Sequence, residues 1–550
     1  MSQNLVMPPG TESSVEEVEI KLQLLGEGVV AFRLLDILKR QAGQGPRTVT
    51  LKTTYFDSPD MQLRTHGLEL QVQQVKNVWT QSLKTTGHAC AGLYRHRQWN
   101  TAVSGSHPEL RSLLAQVACE PTGIETRCNP QFFRRLAPVF TSMVQRTVWV
   151  VHLTSGSSVN VVLDHGELQA RRKREPFCEV RLKLKNGEIT ELFDFALQLL
   201  DQLPLRIGKD DEAERGYEML APAPIFIARA QPVQLASNLS VESCFTRIAW
   251  NCLAQIEDNE RGVIESSDPE SVHQMRVGLR RLRSAIRLFS QSIRLPAKVH
   301  EELEWLGETL GSARDADVLA NITLPALGSA SSTASGHSWT PLLRAAKFRA
   351  QVTRQDASAG VASVRYSRLI LSIGAWLHAR HERLLPKKSA RTSHGKPIGK
   401  WAARRLEKLQ TQLFKMGARH KKSSITERHR MRIAAKELRY ALEFFESICS
   451  MRRLQPYLKC LIALQDVLGR LNDGSVADKL LGRMGKAGKP GSAVARLSRQ
   501  ARKRIARDSL DDRRKLQKCW RHLKHARRSP WNAGSEKLIA ASDRFRDSPV

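Results

Sequence analysis

The sequence predicts a multidomain α+β protein: an N-terminal antiparallel β-barrel or sandwich, followed by an all-α region made of a duplicated helical bundle. Three observations lead there. Period-two alternation fills the first 217 residues, helical periodicity takes over after residue 238, and one histidine-bearing helix pattern occurs twice in the second part. A chain of 550 residues is long enough for about two to four domains.

In chain order, strands are expected at 15–25, 68–75, 78–84, 148–153, 159–163 and 178–185, where apolar and polar residues alternate. Turns are expected at Gly156-Ser157-Ser158, Asp164-His165-Gly166 and Asn186-Gly187. Helices are expected at 29–41 and 190–203. Residues 219–238 hold three prolines and little charge, and read as a linker. The expected organisation is a tail (1–14), a β domain (15–218), that linker, a helical domain (239–530) and a second tail (531–550). Flexible connections are expected at 328–336 and 485–492.

Charge divides the chain in the same place. Residues 1–230 hold 27 Lys and Arg against 25 Asp and Glu, whereas 231–550 hold 60 against 29. Such self-repulsion calls for a polyanionic partner: nucleic acid, an anionic membrane surface or polyphosphate. No apolar run reaches the ~20 residues of a spanning helix, and no signal peptide opens the chain. Nine scattered cysteines without C-x-x-C spacing read as free thiols in a reducing cytoplasm.

The repeat aligns residues 273–289 with 429–445. Each copy is followed by a second matching segment, Leu310-Gly311 with Asp315 and Asp317, then Leu468-Gly469 with Asn472 and Asp473. On a helix, Met275, Leu279, Leu282, Ile286 and Phe289 form one apolar stripe. His273, Arg276, Arg280, Arg283 and Arg287 form a second, about 100° round. The second copy sets Met431, Ala435, Leu438, Leu442 and Phe445 beside His429, Arg432, Lys436 and Arg439. A cationic row flanking a core can line an interhelical groove, and guanidinium forks suit phosphate oxygens. Arginine stems covering the core edge are the alternative reading. Arg314 with Asp315 and Asp317 reads as a structural ion pair.

In the β domain, Glu17, Glu19 and Lys21 share one face of a strand. Paired carboxylates can hold Mg²⁺ or Mn²⁺, and a neighbouring lysine can meet a phosphate oxygen. The basic run Arg171–Arg174 reads as a solvated strand connection.

Two resemblances follow from these motifs. D-P-E-x-V-H-Q-M-R-V-x-L-R-R-L-R-S-A from Asp268, L-G-x-A-R-D-A-D-V-L from Leu310 and H-R-M-R-I-A-A-K-E-L-R-Y-A-L-E-F-F from His429 resemble the CHAD family over about 241–477. That likeness implies a two-lobed helical fold whose basic centre, here the two histidine rows, binds inorganic polyphosphate. Glu17-x-Glu19-x-Lys21, Thr54-Tyr-Phe-Asp-Ser-Pro-Asp60, Ser82-Leu-Lys84, Arg146, Leu163-Asp-His-Gly-Glu167 and Ala213-Glu-Arg-Gly-Tyr217 resemble the CYTH family, the triphosphate tunnel metalloenzymes. Within it the likeness is to inorganic triphosphatases that carry a CHAD domain.

The CYTH likeness implies a closed antiparallel barrel holding tripolyphosphate. By it, Glu17, Glu19 and Glu179 would hold Mg²⁺ or Mn²⁺, and Lys21, Lys84 and Arg146 would bind phosphate. Asp164 or Glu167 would orient water or support the metal. The chain departs from the family's pattern in several places. Gln71 and Gln73 stand where the family has two arginines, and Arg181 and Lys183 follow Glu179 where it has carboxylates. His96 and Gln98 occupy an altered H-x-R-x-E-W segment, and Glu212 replaces a lysine. Arg181 and Lys183 would leave the tunnel cationic without metal and add to its phosphate-binding side chains. Three roles for the barrel follow: a clamp on phosphate with slow or no hydrolysis, a retired scaffold, or an active triphosphatase. A sequence-indifferent nucleic-acid binder is the rival from another class, but the helical part offers few regularly placed aromatics for stacking.

Overall fold

The computed structural model describes residues 15–25, 28–87, 89–109, 134–154, 156–208, 211–266, 268–329, 338–384, 398–418, 420, 423–487, 491–526 and 531. The expected tails, apart from the buried Trp531, and most of the 328–336 connection lie outside them. The chain divides into two units, residues 1–224 with 362–379, and residues 225–361 with 380–550.

Among the described residues, the first unit is built on nine strands: β1 (Val15–Leu24), β2 (Arg47–Asp57), β3 (Leu68–Val75), β4 (Val78–Thr85), β5 (Leu93–Val103), β6 (Ala137–His152), β7 (Ser158–Ala170), β8 (Lys173–Asn186) and β9 (Leu205–Ile207). Their order is β5-β4-β3-β2-β6-β7-β8-β1-β9, and β5 also pairs with β1. That last pairing closes eight antiparallel strands into a barrel, an interior just wide enough for side chains or one small ligand. The expected turn at Asp164–Gly166 does not form, because β7 runs straight through it in register with both neighbours. The Arg171–Arg174 run begins in the tight turn between β7 and β8, with Arg171 at φ 55°.

Among the described residues, five helices belong to this part of the chain: α1 (Val29–Arg33), α2 (Asp36–Gln41), α3 (Gln62–Thr65), α4 (Ile189–Gln202) and α5 (Glu212–Leu220). Helix α4 buries Leu192, Phe193, Phe195, Ala196 and Leu199. Helix α5 begins where the Asp211 carboxylate accepts from Glu214 N at 2.9 Å. It buries Ala213, Tyr217 and Met219 in a cluster with Tyr55, Phe140 and Val144.

Two motifs from the sequence meet at this helix. Asp57 accepts from the backbone N–H of Ser58, Leu63 and Arg64 and from the Tyr217 hydroxyl, at 2.7–3.1 Å. Gly216 lies directly against the Phe140 ring, where a Cβ has no room. Asp57, Gly216 and Tyr217 therefore act as structural joints. Residues 362–379 add most of another helix to this unit. There the Ser367 hydroxyl accepts from Ile207 N at 3.1 Å, and Arg368 pairs with Asp201 at 2.7 Å.

The second unit is helical: α6 (Val241–Glu257), α7 (Glu260–Glu265), α8 (Pro269–Leu288), α9 (Ala297–Val318), α10 (Leu324–Ser329), α11 (Thr340–Val361), α12 (Val364–Leu384, divided between the units), α13 (Ile398–Gly417), α14 (Ile425–Phe444), α15 (Met451–Ala487) and α16 (Ala493–His525). A π-helical turn, Leu319–Thr323, joins α9 to α10.

The repeated helices begin on strong caps. Asp268 accepts from Glu270 N ahead of Pro269 in α8. Ser424 and Glu427 form a reciprocal capping box in α14. Both expected apolar stripes are inside, with only Ile286 partly exposed. The equivalent residues Phe289 and Phe445 meet at 6.2 Å between ring centroids, and Trp401 stacks on Phe289 at 4.6 Å. Much of the proline-bearing segment packs on this unit. Ala228, Val233 and Leu235 are buried, and Ala228 O accepts from Asn259 Nδ2 at 2.9 Å.

Candidate functional site

The barrel interior is made of alternate residues on each strand. From β1 come Glu17, Glu19 and Lys21, from β3 Glu69 and Gln71, from β4 Ser82 and Lys84. His96 and Gln98 come from β5, Arg146 from β6, Asp164 from β7, and Glu179, Arg181 and Lys183 from β8. Glu167 is three residues from Asp164 and falls on the opposite face, half exposed and 3.5 Å from Arg174. Of the residues expected at this site, it alone stays outside.

Register sets the pairing. Glu19 stands opposite Lys183, Lys21 opposite Arg181 and Gln23 opposite Glu179. Lys183 Nζ bonds Glu17 at 2.6 Å and lies 3.9 Å from Glu19. Lys21 lies 2.9 Å from Asp211 and 3.6 Å from Glu19, with the Tyr94 ring 4.2 Å away. Arg146 grips Asp164 with two bonds, at 2.7 and 2.8 Å, and Arg181 bonds the same carboxylate. Lys84 is 3.4 Å from Glu69. Gln71 bridges that pair, its amide donating to Glu69 and accepting from Lys84 at 3.3 Å each.

Among the described residues, each of the five interior cations thus has a carboxylate partner. Glu17, Glu19, Glu69, Asp164, Glu179, Asp211 and Glu212 together leave no excess of positive charge. The expected cationic tunnel is corrected here: Arg181 and Lys183 neutralise acids that the sequence could not place beside them. Asp211, the partner of Lys21, was missed, although its D-x-x-E spacing marks a helix start.

Ionisation follows the pairing. Burial pushes the Glu19 carboxyl up, but Lys183, Lys21 and Arg181 more than reverse this and hold it at about 2. Glu17 is treated likewise by burial and by Lys183 and ends well below the carboxylate range. Glu179 differs. Burial dominates there and raises it to about 7, despite Arg181 and Lys21.

A divalent ion fits this set poorly. Glu179 is four residues along from the strand position of Glu19, about 13 Å of strand, with Lys21 and Arg181 between them. Among the described residues, no three His, Cys, Asp or Glu side chains group closely enough to share an ion.

In the helical unit, α8 and α14 bring their cationic rows together. Arg276, Arg280, Arg432 and Lys436 sit close enough to repel one another. Among the described residues, Arg280, Arg432 and Lys436 have no hydrogen-bond or ion-pair partner, and Nε of both arginines is buried and unsatisfied. Burial and then these arginines push the Lys436 amine down to about 6. Burial, then Arg314, takes His273 to about 4. Arg276 donates to Gly307 O at 3.1 Å and lies so close to Gly311 that a Cβ there would be 2.5 Å from its guanidinium. The Leu-Gly pair of the sequence motif thereby makes room for Arg276.

The remaining residues of the rows are engaged elsewhere. Arg283 lies 3.6 Å from Glu304, Arg287 2.8 Å from Glu437, and Arg439 3.1 Å from Glu443. His429 is within 3.2 Å of Asn472. Asp315 and Asp473 approach the cluster from the two copies. Asp317 pairs with Arg354 at 2.6 Å, and the expected pair with Arg314 does not form.

A closed eight-stranded barrel lined with ion pairs, joined to a helical unit built on a histidine repeat, defines a two-domain protein of known classes. Residues 16–217 match the CYTH domain and residues 247–482 the CHAD domain. The chain carries a CYTH domain followed by a CHAD domain. An inorganic triphosphatase of Haemophilus influenzae is 26% identical over 204 residues, 37% of this chain. The match spans about half of that relative, 54% of its length. The solved CHAD domain of the plant Ricinus communis is 34% identical, covering 55% of this chain and 98% of that one, with a TM-score of 0.49. A Hippeastrum protein with a dominant triphosphatase activity is 13% identical over 37% of this chain and 96% of its own, with a TM-score of 0.28. CYTH triphosphate tunnel metalloenzymes are metal-dependent as a class. Among the described residues, no helix is long and apolar enough to cross a membrane.

Proposed function

We propose that this protein binds inorganic phosphate chains, polyphosphate in the helical unit and triphosphate in the barrel, with hydrolysis to pyrophosphate and phosphate slow or lost. One observation carries the reading: the convergence of Arg276, Arg280, Arg432 and Lys436, three of them without partners among the described residues. Mutual repulsion of this kind is relieved by a polyanion, and planar guanidinium forks match phosphate oxygens. A linear polyphosphate supplies closely spaced charges without needing stacking platforms, which favours it over nucleic acid.

In the barrel, Lys21, Lys84 and Arg146 face inward as a triphosphate site requires. A bound chain must nevertheless displace Asp211, Glu69 and Asp164 from them. Asp164 is fully buried and held by two guanidiniums, whose three bonds take up most of its acceptor positions. Glu167 is on the outer face. The residues that would order an attacking water are thus engaged or absent from the interior.

A second reading, an active metal-dependent triphosphatase, is favoured by Glu17 and Glu19, two carboxylates held ionised on one strand face. The test is phosphate release from tripolyphosphate with Mg²⁺ or Mn²⁺, beside a Glu17→Ala/Glu19→Ala variant. Turnover at the variant's level is expected. Metal-dependent turnover abolished in the variant would establish the second reading. For the groove, polyphosphate binding at fixed salt should fall in Arg280→Ala/Arg432→Ala and resist competition by duplex DNA. Unchanged binding, or displacement by DNA at equal charge, would overturn that assignment.

A further inference from the structure

We propose that Lys183 and Arg181 are resident cations that take the place of a divalent metal in this barrel, leaving its carboxylates neutralised by the chain itself. Lys183 stands across from Glu19 and yet reaches Glu17, so one ammonium covers both carboxylates that a metal would use, at 2.6 and 3.9 Å. A bound Mg²⁺ or Mn²⁺ needs oxygens at about 2.0–2.2 Å and tolerates no ammonium among its ligands. Arg181 fills the next position in the same way, bonded to Asp164 and 3.8 Å from Glu179. Lys21 closes the remaining gap between Glu19 and Asp211.

The result is a ladder of paired charges along β1 and β8. The consecutive acids Glu17 and Glu19 share Lys183, Lys21 pairs with Glu19 and Asp211, and Arg181 with Asp164 and Glu179. A metal entering this ladder would have to expel an ammonium and remain beside a guanidinium, with both repulsions acting in a poorly solvated interior. One feature marks where the ladder is incomplete: Oε2 of Glu19 and Oε1 of Glu179 are buried without hydrogen-bond partners. These are the acceptors a resident cation serves only through its field.

Mn²⁺ binding to the full chain at neutral pH, followed by the resonance signal of the free ion, tests this directly. The natural sequence should show no saturable binding below about 1 mM that depends on Glu17 and Glu19. Lys183→Met keeps the side chain's bulk and frees both carboxylates. It should gain Mn²⁺ binding at least about tenfold, and Mn²⁺ should raise its melting temperature. Arg181→Glu/Lys183→Glu should gain more, if it folds. Saturable Mn²⁺ binding by the natural sequence that vanishes in Glu17→Ala/Glu19→Ala would overturn the proposal. So would a folded Lys183→Met variant that binds no more metal than its parent. Neither outcome depends on what the helical groove binds.

Discussion

Arg287 and Glu437 form an ion pair at 2.8 Å between two helices that are copies of one another. The contact removes Arg287 from the row of free cations to which its spacing assigns it. It also divides the groove into a centre without ion pairs among the described residues, Arg276, Arg280, Arg432 and Lys436, and a tied margin.

That division is measurable by calorimetric titration with polyphosphate. Arg280→Ala and Arg432→Ala should each weaken binding about 10- to 100-fold, since a charge-assisted hydrogen bond contributes about 1.5–3 kcal/mol. Arg287→Ala should change it less than about fivefold, because a partly exposed pair contributes at most about 1 kcal/mol. Equal effects at all three positions would contradict the division.

Lys436 gives the groove a pH dependence. Its folded amine, near 6, lies below the ordinary lysine value. Between those values the unfolded chain binds the extra proton, so this group's contribution to stability rises with pH and is least favourable at pH 6 and below. A polyanion favours the charged amine. Polyphosphate affinity should therefore rise as pH falls from 8 to 6, with proton uptake visible in buffers of different ionisation enthalpy. Lys436→Met should raise the melting temperature near pH 7 and flatten the affinity profile.

Glu179 predicts the opposite slope in the barrel. Its folded carboxyl, near 7, lies above the ordinary glutamate value. The folded state holds the proton between the two values, so its contribution falls as pH rises and is fully unfavourable above 7. Glu179→Gln should raise the melting temperature of the barrel transition more at pH 8 than at pH 5. A gain independent of pH would argue against a protonated Glu179.

The Asp57 joint should separate structure from binding. Tyr217→Phe removes one of four donors and should cost about 0.5–1.5 kcal/mol in urea unfolding of the barrel. Asp57→Ala leaves buried N–H groups without an acceptor and should cost more, about 1–3 kcal/mol for each group stranded. Polyphosphate binding should be unaffected by either.

The helices were the most legible part, because Met275 through Phe289 and Met431 through Phe445 repeat one buried stripe and cores preserve period. Strands β2 and β5 escaped the reading for a physical reason. In β5 the inner residues Tyr94, His96, Gln98 and Asn100 are mostly polar, and Arg95 and Arg97 point outward, so a tunnel strand shows little hydrophobic alternation. At the site, Glu17, Glu19 and Lys21 were legible as one strand face. Their partners were not, since Lys183 meets Glu17 only through the register of β1 on β8, and Asp211 reaches Lys21 from 190 residues away.

The two histidine helices are copies, but their neighbours have diverged. Arg281 is buried among Gln255 and Asn251, while its counterpart Glu437 faces Arg287; His273 lies by Arg314, while His429 lies by Asn472. A phosphate polymer reads the same from either end, and a perfectly twofold groove would accept it in both directions equally. These mismatched neighbours give the groove a direction that the proposed ligand lacks.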